Sequence, residues 1–140
     1  MYKNSPMTTN IQLQKYADKL NIPLNGIYYK DRLKYINPLD GAYIINLGDS
    51  NQGGTHWVSL YLDNNNGLYF DSFGVPPPLA IEEFYKRYSK KPLIIANKQI
   101  QNINGGYCGQ YNIHLLYSLS NGRGSLKEKL KRFYKNYYSY

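Results

Sequence analysis

The chain has little with which to build a metal site or a cross-linked fold. A single cysteine, Cys108, among 140 residues excludes an internal disulfide and points to a reducing compartment. The two histidines, His56 and His114, stand far apart in sequence and with one thiol give no zinc-ligand spacing, so neither metal nor cofactor is expected. No apolar run is long enough to span a bilayer, and the opening stretch MYKNSPMTTN has no apolar segment of the secretory kind. The expectation is a protein of the cell interior with no membrane partner. The length suits one domain, residues 1–140, with a sizeable core.

Acidic side chains are also scarce. Nine stand against 17 basic ones, a formal net charge of +8. That excess suggests an acidic partner such as nucleic acid, contacted without sequence preference. Much of it lies in Lys86-Arg87, Lys90-Lys91 and the terminal SLKEKLKRFYKNYY. Two readings stand: a DNA-contacting surface, or solvated helix faces in a chain whose 17 tyrosines, with many Asn, Ile and Lys, reflect AT-rich codons.

What the chain does contain is ordered apolar patterning. Thr9 or Asn10 can cap a helix in which Ile11, Leu13, Tyr16, Ala17 and Leu20 recur at helical spacing, stopped by Asn21-Ile22-Pro23. Residues 24–40 are punctuated by Asn-Gly and Asn-Pro and read as loop with short extended pieces. Ala42 to Leu47, Trp57 to Leu62, Leu68 to Asp71 and Leu93 to Ala96 read as strands, the middle two joined as a hairpin through Asp63-Asn64-Asn65-Asn66-Gly67. Pro76-Pro77-Pro78 opens a helix of about Leu79 to Ser89. A further helix runs from Cys108 to about Ser120, and a basic amphipathic one from about Ser125 to Tyr137. Helices flanking a mostly antiparallel sheet make an α+β fold.

Cys108 falls in Asn104-Gly105-Gly106-Tyr107-Cys108-Gly109, where a loop turns into a helix. A thiol at a helix N-terminus meets unpaired N–H groups and the positive end of the macrodipole, both of which favour thiolate. Taken alone, a lone cysteine is more often an ordinary buried residue. His56 and Asp71 alter that balance. If Leu62 pairs with Gly67, Val58 falls opposite Asp71, and His56 lies diagonally from the carboxylate on the same face. A slip of one residue would separate them. His114 lies about 240° round the Cys108 helix, so His56 is the credible base.

His56-Trp57, then Tyr69-Phe70-Asp71-Ser72-Phe73-Gly74, then Gln101 seven positions before Cys108 in QNINGGYCGQY, together resemble the adenovirus-type maturation proteases. Those enzymes are related to the SUMO-specific cysteine proteases. The likeness extends upstream through the first helix and the LNGIYYKDR segment, covering about residues 10 to 120. It implies a cysteine endopeptidase fold with His56 as general base, Asp71 as its orienting acid, Cys108 as nucleophile and Gln101 as an oxyanion-hole donor. Gln99 precedes the same loop and competes for that last role. Trp57 and Gly106 would border the substrate groove, with Trp57 equally suited to core packing. Adenovirus enzymes commonly carry Glu where this chain has Asp71, and they continue further after the cysteine helix.

The resemblance further implies a polypeptide substrate, a capsid or other virion precursor cut after small residues such as Gly. A ubiquitin-like conjugate is the other candidate, and a basic DNA-associated scaffold on a protease fold is the non-enzymatic one. A monomer located in the virion and the host-cell interior is expected.

Overall fold

Strands that are apolar at nearly every position can be stable only in a sheet covered on both faces. The computed structural model has this arrangement. It describes residues 9–48, 56–96, 98–99 and 108–136, Cys108 by its backbone alone. A five-stranded sheet has the order β1-β2-β3-β4-β5, formed by Leu24–Tyr29 (β1), Gly41–Asn46 (β2), Trp57–Asp63 (β3), Asn66–Phe70 (β4) and Ile94–Ala96 (β5). The central pairs β2–β3 and β3–β4 are antiparallel, and the outer pairs β1–β2 and β4–β5 are parallel. With helices Asn10–Lys19 (α1), Leu79–Tyr88 (α2), Cys108–Asn121 (α3) and Leu126–Lys135 (α4), this is the expected α+β class.

Strand alternation divides the core in two. Ala42, Ile44, Tyr61, Leu68, Phe70 and Ala96 face α1, α3 and α4, meeting Leu13, Ala17, Ile113, Leu116 and Phe133 among others. Tyr43, Ile45, Val58, Leu60, Leu62 and Tyr69 face α2, with Ile81, Phe84 and Tyr85, and a 3₁₀ helix at Lys30–Tyr35 that contributes Leu33. Arg87 ties these last two elements together by donating to the carbonyls of Ile36 and Leu33 at 2.9 and 2.7 Å.

Helix ends follow local chemistry. Thr9 and Gln12 form a capping box at the start of α1, as do Ser125 and Glu128 at α4. At the end of α1, Asn21 takes a left-handed conformation with φ 55°. The amides of Asn21 and Ile22 then bond back to Asp18 and Ala17, which satisfies the terminal carbonyls. Ile11, assigned by spacing to the apolar stripe, is 65% exposed, while Leu13 and Ala17 carry the buried face.

The principal correction concerns residues 24–40. They hold a full six-residue strand, β1, parallel to β2, followed by the 3₁₀ helix. The Asn-Gly pair that suggested a turn is absorbed as a register shift between Leu24 and Gly26. A Cβ at Gly26 would sit 2.5 Å from the Tyr28 ring, so glycine there permits close packing and makes no turn.

Two kinds of force hold α3 to the sheet. Ile113, Leu115, Leu116 and Leu119 are fully buried, each contributing about 2 kcal/mol by burial. Asn112, also fully buried, accepts from the Ser59 hydroxyl at 2.5 Å and donates to the Trp57 carbonyl at 2.8 Å. A hydrogen bond adds only about 1 kcal/mol net. The apolar face therefore supplies the attachment, and Asn112 sets where along β3 the helix stops. Asn112→Ala should lower stability by about 2–3 kcal/mol, because it strands a buried hydroxyl and carbonyl. Urea unfolding will measure this, and a loss under about 0.5 kcal/mol would show that the bridge contributes nothing.

Candidate functional site

The β3–β4 hairpin closes through Asn64 and Asn65, both left-handed with φ 49° and 65°, the geometry of a type I′ turn. That turn sets the register: Leu62 pairs with Gly67, and Leu60 with Tyr69. The pairing on which the sequence argument rested is therefore present. His56 immediately precedes β3 and Asp71 immediately follows β4. The His56 Nε2 and Asp71 Oδ1 lie 2.7 Å apart, with side chains 12% and 2% exposed. A polar contact so withdrawn from water is weakened less by solvent than a surface one.

A turn built on Asp71-Ser72-Phe73-Gly74 completes the arrangement. The Phe73 N–H donates to the same Asp71 Oδ1 at 2.8 Å, so one carboxylate oxygen receives both the backbone and the imidazole. The Gly74 N–H closes on the Asp71 carbonyl at 2.8 Å, and Gly74 takes φ +78°, a conformation that favours glycine. The Phe73 ring lies parallel to the His56 ring, with centroids 4.2 Å apart and 4° between planes. Below Asp71, burial reinforced by the carboxylate's charge pushes the Tyr69 phenol far up, keeping it neutral.

Because Asp71 engages Nε2, the neutral imidazole carries its proton there, and Nδ1 is the nitrogen with a lone pair. Cys108 is the first residue of α3. Asn112 lies one turn further along that helix, and its bond to the Trp57 carbonyl brings the N-terminal turn of α3 alongside the start of β3. His114 is on the exposed side of α3. Trp57 is partly buried and packs against the helix-covered core. Gln101 and Gly106 lie outside the described residues, as does the Cys108 thiol, while Gln99 is exposed.

Two residues that position the site were not singled out by sequence reasoning. Asn112 had a detectable signal, since it is an amide flanked by the apolar stripe of α3. Phe73 had none beyond its place in the turn, because stacking on His56 depends on how Gly74 bends the chain. Among the described residues, no cluster of three or more His, Cys, Asp or Glu could hold a metal.

No protein-family model matches the chain. In sequence it is similar to the putative thiol protease of Acanthamoeba polyphaga mimivirus, 34% identical over an alignment of 119 positions that covers 76% of this chain and 38% of that protein. The chain thus spans well under half the length of this relative. In structure it is similar to the protease of African swine fever virus in two crystal structures. One is a selenomethionine form, with TM-score 0.54, 18% identity and coverage of 99% of this chain and 70% of that one. The other gives TM-score 0.51 and 17% identity, covering 97% and 69%. The fold of this chain is accordingly that of the African swine fever virus protease, and its sequence is related to a viral protein named as a thiol protease.

Proposed function

We propose that the chain is a cysteine endopeptidase of the adenovirus-type maturation class, cleaving capsid or other virion precursors within the virion or the host cell. The observation that carries this reading is the 2.7 Å pairing of His56 with Asp71 beside the N-terminal turn of a helix headed by Cys108. The similarity to a putative viral thiol protease supports it.

In this mechanism Asp71 holds the imidazole by Nε2, and Nδ1 takes the Cys108 proton, giving a thiolate–imidazolium pair. The helix N-terminus favours the thiolate further. The sulfur attacks the peptide carbonyl, Nδ1–H protonates the departing amine, and water releases the acyl group. Gln101 and the Cys108 N–H are assigned to the oxyanion, where one donor is worth about 3–4 kcal/mol. Trp57 and Gly106 are assigned to the substrate groove.

Cys108→Ala should abolish cleavage of a co-encoded capsid precursor, by at least about ten-thousandfold, with the fold retained. Near-wild-type cleavage by a clean Cys108→Ala preparation would end this reading. Sequencing the new termini defines the cut, and preferential cleavage of a ubiquitin-like conjugate would redirect the substrate assignment to deconjugation.

Asp71→Asn should be milder than His56→Ala by about an order of magnitude or more in kcat, since an amide still orients the imidazole partly whereas nothing replaces the base. Equal losses, measured on one peptide, would give Asp71 a different role.

The basic surface fits a polyanion. Lys127, Lys131, Arg132 and Lys135 are exposed along α4. If four such charges meet phosphates, affinity for duplex DNA should fall about a hundredfold between 50 and 200 mM salt. Absence of binding at low salt would remove DNA as a partner.

A further inference from the structure

A hydrogen bond to one ring nitrogen sets a distance, whereas the plane of an imidazole depends on what lies against its faces. For His56, the bond from Nε2 to Asp71 sets the distance of 2.7 Å but not the plane in which Nδ1 points. Proton transfer is sensitive to that direction, and a misplacement of about 1 Å can cost about a hundredfold in rate. A second constraint is present in the structure. The Phe73 ring lies flat against the imidazole, 4° from parallel at 4.2 Å, and an aromatic face resists tilting of its partner in a way that a branched aliphatic group does not.

The same residue acts on the other member of the pair, since its N–H holds the Asp71 oxygen that receives Nε2. Both placements follow from one turn. The bond from Gly74 N–H to the Asp71 carbonyl and the positive φ of Gly74 turn the chain back, so the Phe73 amide faces the carboxylate while its side chain covers the histidine.

We infer that Phe73 is a positioning residue: its ring fixes the plane of the His56 imidazole, so that Nδ1 is aimed for proton exchange with the nucleophile while Nε2 stays on Asp71. This rests on reading the chain as a cysteine protease. In this role Phe73 is given no part in the bond-making steps. It acts through His56, so its effect falls on the chemical step and not on substrate binding.

The test compares Phe73→Leu, which keeps apolar bulk but no flat face, with Phe73→Tyr, which keeps the face; both retain the backbone N–H to Asp71. NMR of the resting full chain is read first, with thermal unfolding establishing that each variant is folded. His56 ring protons should be shifted upfield by the aromatic ring current in wild type and Phe73→Tyr, and should lose that shift in Phe73→Leu. On the peptide that reports cleavage, Phe73→Leu should lower kcat about tenfold with KM within about twofold, and Phe73→Tyr should recover most of the loss. Unchanged His56 shifts in folded Phe73→Leu would overturn the stacking. Loss appearing in KM, or equal loss in both variants, would reduce Phe73 to a packing residue. If the wild type cleaves nothing, the protease reading fails separately, and the ring shifts still decide whether Phe73 orients His56.

Discussion

The register of one hairpin governs everything else at the site. Asn64 and Asn65 occupy left-handed conformations that match the twist of β3 and β4, and the resulting pairing of Leu62 with Gly67 sends His56 and Asp71 to the same side. A shift of one residue would turn every side chain of one strand to the opposite face. It would also exchange the two halves of the core, bringing Leu60 and Leu62 against α3 and exposing Tyr61 to α2. The burial of both faces therefore penalises the wrong register. At Gly67 a Cβ would lie 2.4 Å from the Tyr85 ring, which holds the hairpin close to α2.

From that frame the remaining parts are placed by a few polar contacts. Asp71 Oδ1 receives His56 and the Phe73 amide, and Asn112 joins α3 to β3 through Ser59 and Trp57. These groups are buried or partly buried, so each unpaired partner would carry a desolvation cost. The apolar contacts give attachment without direction. The polar ones give direction and so decide how the start of α3 stands relative to His56.

Much of the fold was legible because strong periodicities and turn chemistry agreed. The hairpin asparagines, the apolar stripe of α3 and the cap at Thr9 all act over a few residues. The β1 strand was not legible because its pairing is decided by β2, 17 residues later in the register Gly26 to Tyr43, while Asn25-Gly26 locally signals a turn. The juxtaposition of His56 and Asp71 could be derived because it needed only hairpin arithmetic. The Phe73 stack could not, since it depends on the path of the chain after β4 ends.

The brevity of β5 has a consequence for how copies of this chain meet. An edge strand offers its outward amides and carbonyls to any other extended chain, and long flat edges invite sheet-to-sheet growth. Among the described residues the sheet ends on three, Ile94–Ala96, a short row to template an added strand even though Ile95 is 39% exposed. At high concentration copies of this chain would meet often. So short an edge offers few backbone groups for such growth on that side, whereas the six-residue β1 forms the other edge.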